Sequence, residues 1–179
     1  MPEQISGLLE KFYEDHKYAF ELQLDMLIKR AVMMGVAAGI DCLGGNAIID
    51  RSLLGDYAIC TANVVLKRIS TEQFDAYLAL WRKFEYNTRR PDHIIYLEIS
   101  PEDALKRIAA RGRKCEAGID TDYLRLVSDS HNEAIATHLL DRDYLRRIPI
   151  HRINVDGLPE QAVTAAALAA LGLQQPPQD

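Results

Sequence analysis

Three clusters in the 179-residue chain combine residue types and spacings that can do chemistry. The first is Asp50-Arg51-Ser52, at the end of the apolar run 46–50 (NAIID). Reactive groups in open parallel sheets gather at the carboxyl ends of strands. There Asp50 could hold Mg²⁺ directly or through water, and Arg51 could neutralise charge at a reacting oxygen. The same three residues also fit a structural ion pair with Ser52 as a helix N-cap. The second cluster is Gln23 and Arg30, seven apart and so on one helical face, with Asp56 just beyond the Asp-Arg-Ser turn. Amide, guanidinium and carboxylate together can read the edge of a nucleobase; the alternative is three solvated polar residues. The third is Arg107, Arg111 and Arg113, followed by Glu116. Three arginines within seven residues can clamp transferring phosphates. Cations also favour a helix C-terminus, but three exceed what that effect requires.

Other chemical groups give weaker signals. His131, Glu133 and His138 do not have HExxH spacing. Cys42, Cys60 and Cys115 are odd in number and widely spaced, which argues against a disulfide framework or a zinc ribbon. A reducing cytoplasm is expected.

The elements that must position these groups follow from periodicity. Runs 46–50 (NAIID), 93–100 (HIIYLEIS) and 150–156 (IHRINVD) predict buried strands. Helices are expected over 17–39, 53–67, 70–87 with Ser70 and Gln73 as a capping box, 101–111, 121–140, and from about 159 onward. For 101–111, Ser100 is the expected N-cap, Pro101 the first helical residue and Gly112 the stop. Tyr77, Trp81 and Phe84 fall at helical spacing, as core or interface packing would. Strands alternating with helices predict an α/β domain with a parallel sheet covered on both faces. Residues 1–173 are expected to form one domain and 174–179 (QQPPQD) a disordered tail. A hydrophobic fraction of 48%, a charged fraction of 26% and a net charge of −5 suit a globular chain with no pull toward nucleic acid or an anionic membrane. No apolar run reaches the ~18 residues of a membrane helix.

In order along the chain, these pieces resemble the deoxynucleoside kinase family. FYEDHKYAFELQ (12–23) is similar to its substrate helix, DRSLLGD (50–56) to its acid-Arg-Ser motif, and SPEDALKRIAARGRKCEAGI (100–119) to its lid, the most specific match. The resemblance implies a P-loop kinase-like three-layer fold and transfer of the γ-phosphate of ATP, with Mg²⁺, to the 5′-hydroxyl of a deoxynucleoside. It further implies that Gln23, Arg30 and Asp56 read the base and that Tyr13 and Glu116 hold the 3′-hydroxyl. Arg51 would sit near the 5′-hydroxyl and Asp50 near the metal. Arg107 and Arg111 would flank the adenine of the donor, with Arg113 toward its phosphates. The Arg–Asp pair points to a purine deoxynucleoside or deoxycytidine as substrate. A homodimer through the helices at 18–40 and 53–67 is also implied.

The chain departs from the family pattern in places that matter. No G-x-x-x-x-G-K-[ST] loop occurs in it, nor the family's general base in a Glu-Pro-type segment. Cys60 stands where an aromatic usually stacks on the base, and Cys115 replaces the first of two lid acids. Losing one preorganised donor costs ~3 kcal/mol in a transition state, so loss of a whole phosphate cradle implies no useful rate for this chain alone. The absent strand would also open the ladder between 46–50 and 93–100. Either those strands close up and pair, or the chain is part of a longer protein, by ~40 residues for a strand–loop–helix unit; the second is the expectation. Two functions follow: a deoxynucleoside kinase represented in part, or a non-catalytic nucleoside-binding or scaffold subunit.

Overall fold

A computed structural model describes residues 7–138 and 148–173. Short helix α1 (Gly7–Glu14) leads through a 3₁₀ turn (His16–Tyr18), capped by Asp15, into the 24-residue helix α2 (Ala19–Cys42). Helices α3 (Leu53–Val65) and α4 (Thr71–Asn87) follow, then strand β1 (Ile94–Glu98) and helix α5 (Pro101–Arg111). A 3₁₀ turn (Lys114–Glu116) joins α5 to α6 (Thr121–Glu133), which runs into one π turn (Ala134–His138). Strand β2 (Ile150–Asn154) and helix α7 (Glu160–Ala170) complete the described chain.

Local chemistry sets most of these boundaries. At α4, Ser70 accepts from the Gln73 N–H while the Gln73 side chain accepts from the Ser70 N–H, a complete capping box. At α5, Ser100 accepts from the Asp103 N–H, Pro101 opens the helix, and Gly112 closes it at φ 70°, a left-handed conformation that suits glycine. The helix at 121–140 continues as expected through Glu133; residues 139 and 140 lie outside the described residues, as does the expected tail 174–179. Helix α1 was not expected from the sequence.

β1 and β2 pair in parallel, in a register running from Ile94 opposite Ile150 to Glu98 opposite Asn154. A parallel pair needs a long crossover, and α5 and α6 lie in it. The third expected strand is a correction. Residues 46–50 form no strand, do not pair with β1, and leave Ile48 91% exposed. An extended run becomes a strand only when a neighbour completes its hydrogen-bond ladder, and among the described residues it has none.

The core lies between α2, α3 and α4. Leu27 and Tyr77 are fully buried there, and Leu53 and Trp81 nearly so. Burying each such side chain is worth ~1.5–3 kcal/mol. The Trp81 indole N–H donates to the Leu53 carbonyl at 2.8 Å, which fixes the first turn of α3 against α4. That turn carries Asp56, so core packing holds part of the candidate site. Phe84, expected to pack with Tyr77 and Trp81, is half-buried against the same core. No helix among the described residues is long and apolar enough to cross a membrane.

Candidate functional site

α2 and α3 bring the first set of expected residues together. Arg30 Nε donates to Asp56 Oδ2 at 3.2 Å, with the two side chains 11% and 2% exposed. The Arg30 guanidinium also donates through Nη1 to the Asp50 carbonyl, tying the middle of α2 to the Asp-Arg-Ser turn. Gln23 is buried two turns earlier on α2. Burial pushes the Asp56 carboxyl up to about 6, against the opposing pull of Arg30 and Arg51. It therefore titrates near neutrality, where a surface aspartate would not.

The Asp50 and Arg51 side chains are exposed at the entrance to α3. Arg51 has φ 64°, a left-handed conformation rare outside glycine. Such backbone costs ~1–3 kcal/mol and persists where surrounding structure enforces it, often at functional sites. Ser52 is the N-cap residue of α3 by position but makes no side-chain capping bond, so the structural alternative for this motif loses one support. The Arg51 charge acts on Asp56, on Tyr123 and on His131.

A second centre forms where the 3₁₀ turn after α5 meets α1. Glu116 is buried and takes two guanidinium groups: Arg111 Nη2 at 2.6 Å and Nε at 3.2 Å on Oε2, and Arg113 Nη1 at 3.4 Å on Oε1. Tyr13 on α1 sits beside them. Burial raises its phenol pKa, and the neighbouring Tyr123, Glu116 and Cys115 raise it further. Tyr13 is thus a neutral hydroxyl next to a carboxylate, a pair that can both donate to and accept from a hydroxyl ligand. Arg107 goes elsewhere. Its guanidinium donates to the carbonyls of Val155 (2.6 Å) and Leu158 (3.4 Å), holding the loop between β2 and α7.

Sequence reasoning missed the residues that join the two centres. The Arg68 guanidinium lies over the rings of both Phe12 (5.7 Å) and Tyr123 (5.2 Å), so it bridges α1 and α6. Tyr123 is electrostatically coupled both to Tyr13 and to Arg51. His131 is oriented by a 2.8 Å bond between Nδ1 and the Val127 carbonyl and stacks on Tyr96, and burial keeps its pKa low. Arg68 follows Lys67, which has φ 56°, but no spacing rule pairs it with rings 56 and 55 positions away. Among the described residues no group of three or more His, Cys, Asp or Glu could hold a metal ion. Mg²⁺ needs only one or two carboxylates beside phosphate and water oxygens, and the exposed Asp50 suits that donor set.

The deoxynucleoside kinase family model matches residues 3–166. The chain is 30% identical over 147 residues to a deoxyadenosine kinase of Dictyostelium discoideum, covering 82% of this chain and 56% of that protein. It is 30% identical over 124 residues to a deoxyguanosine kinase of Bacillus subtilis, covering 68% and 58%. With deoxycytidine kinase 1 of Xenopus laevis it shares 28% over 165 residues, covering 84% and 60%. The chain thus spans little more than half the length of these relatives. Among solved structures, a deoxyadenosine kinase from M. mycoides with bound dCTP superposes with a TM-score of 0.78 at 23% identity, over 96% of this chain and 83% of that one. The expected P-loop kinase-like α/β architecture is therefore present.

Proposed function

The chain belongs to the deoxynucleoside kinase family, and on that premise we propose that it supplies the nucleoside pocket and lid of a site that phosphorylates a purine deoxynucleoside or deoxycytidine at the 5′-hydroxyl. The observation that carries this reading is the buried Arg30–Asp56 pair beside the strained Asp50-Arg51 turn. A guanidinium and a carboxylate held edge to edge accept from an exocyclic amine and donate to a ring nitrogen. Gln23 adds a donor and an acceptor from the same helix.

The remaining roles are those that the family resemblance implies. Tyr13 and Glu116 hold the sugar 3′-hydroxyl, the phenol donating and the carboxylate accepting. Arg51 lies by the 5′-oxygen and stabilises charge developing there. Asp50 would hold Mg²⁺. Arg113 faces the donor phosphates, while Arg111 and Arg107 border the adenine of ATP, Arg107 also bracing the loop after β2. ATP with Mg²⁺ supplies the transferred phosphoryl group and neutralises its charge. The 179 residues contain no phosphate-cradling glycine loop, so binding is expected of this chain more than turnover.

Titration calorimetry of the chain with deoxyadenosine, deoxyguanosine, deoxycytidine and thymidine tests the reading. Binding of one or more of the first three, weakened by Asp56→Asn, supports it; heats equal to buffer for all four would overturn it. Binding without ATP-dependent phosphorylation would favour the non-catalytic alternative for these residues. We also propose that α2 forms a homodimer face, because Ile28, Val32, Val36 and Ile40 recur every fourth residue and are exposed, with Met33 beside them. A sedimenting monomer at micromolar concentration would remove that proposal. A cytoplasmic setting remains part of the same reading.

A further inference from the structure

Arg68 joins two distant helices through a contact that the proposed chemistry does not use. Its guanidinium lies 5.7 Å from the centre of the Phe12 ring on α1 and 5.2 Å from that of the Tyr123 ring on α6. The backbone delivers it there. α3 ends in a Schellman turn, in which the Lys67 N–H donates to the Val64 carbonyl at 2.9 Å and the Arg68 N–H to the Asn63 carbonyl at 2.9 Å. Glycine usually fills the left-handed position of such a turn, and here Lys67 holds it at φ 56°. The Arg68 side chain then folds back, Nη1 donating at 3.5 Å to Oδ1 of the fully buried Asn63. A guanidinium over an aromatic face is attracted by the ring quadrupole, more strongly where water is excluded. Phe12 is buried, and Arg68 and Tyr123 are half-buried.

We propose that Arg68 is a positioning residue for Tyr13: as a cationic plate between Phe12 and Tyr123 it holds α1 against α6, and with α1 the Tyr13 phenol beside the turn that carries Glu116. α1 is eight residues long. Helices of that length are marginal on their own, so its place depends on what it packs against: α2, two 3₁₀ turns and the Arg68 plate. The Phe12 ring that Arg68 covers lies 5.1 Å from the Tyr13 ring, centre to centre, so a displacement of one is felt by the other. On the far side, α6 follows the 3₁₀ turn of Glu116 along the chain. The plate thus ties together the two elements that bring Tyr13 and Glu116 side by side. The consequence for a sugar hydroxyl rests on the proposed function; the restraint on α1 does not.

Amide hydrogen exchange of the ligand-free chain tests the restraint. Arg68→Met keeps an unbranched apolar stem and removes the cationic plate. It is expected to speed exchange in α1 about tenfold, the order that loss of two partly desolvated cation–π contacts gives, while α2 and α4 exchange as in the parent. Arg68→Lys keeps the charge without the plate and is expected to fall between the two. Exchange in α1 equal to the parent's, or a rise spread evenly over α1, α2 and α4, overturns the proposal; Arg68→Lys decides it alone should the methionine variant not fold. Calorimetry with deoxyadenosine and deoxycytidine against their 2′,3′-dideoxy counterparts tests the consequence. The preference for the 3′-hydroxyl is expected to fall about tenfold in Arg68→Met, and adding Arg68→Met to Tyr13→Phe is expected to lower it no further. Equal weakening of both ligands would leave Arg68 a structural role only and overturn the positioning claim. A parent chain that binds neither counts against the proposed function, and the exchange result then decides this inference by itself.

Discussion

The Arg30–Asp56 pair and the Arg111–Glu116 pair each join an arginine to a carboxylate, under opposite conditions. Arg30 and Asp56 are 11% and 2% exposed. Glu116 is as well buried, but its partner Arg111 is 47% exposed. In the first region an ion pair is sealed in the core, and desolvation raises the carboxyl pKa in spite of the adjacent cation. In the second, one partner stays in water, where solvent screens the attraction.

The comparison can be broken most directly at Arg30. Arg30→Ala strands a buried carboxylate, and a loss of ~3–5 kcal/mol is expected in urea unfolding at neutral pH. A loss under ~1 kcal/mol would mean the pair is solvated after all. Next in size is the pH dependence of Asp56. Its pKa is raised on folding from the ordinary 3.8 to about 6, so the folded state binds the proton more tightly. Its contribution to stability is full below about pH 3.8 and is lost as pH rises through about 6. The two-unit shift corresponds to ~3 kcal/mol. Asp56→Asn is expected to flatten the stability profile between pH 4 and 6; a profile as steep as the parent's would assign that slope to another group.

Glu116→Gln sharpens the other side. With Arg111 half in water, the expected loss is ~1–2 kcal/mol in thermal or urea unfolding, well short of the Arg30 variant. A larger effect would make the 3₁₀ turn at Lys114–Glu116 part of the structural core. The smallest effect is expected at Lys106, which reaches Asp103 at 2.7 Å from the exposed face of α5. Lys106→Ala should leave the melting temperature unchanged within error.

Legibility in the sequence followed the range of the interactions involved. Helix α5 was readable to the residue because Ser100, Pro101 and Gly112 act within a turn of themselves. The capping box at Ser70 was readable for the same reason. Gln23 and Arg30 could be placed on one face by counting, but no spacing rule gave the contact of Arg30 with Asp56, 26 residues on. Residues 46–50 misled because an apolar β-branched run specifies a preference for extension, whereas strand formation needs a partner elsewhere in the chain.

By itself the sequence determined the short-range features: helix caps, the left-handed stop at Gly112, the paired strand runs and the order of motifs that marks the family. Only the tertiary structure decided that Asp56 is buried enough for its pKa to be pushed up to about 6, that Arg68 lies between two rings, and that Arg107 serves the β2–α7 loop. Caps and turns depend on atoms a few bonds apart along the chain. Desolvation and long-range contact depend on which distant surfaces pack together, and no local spacing encodes that.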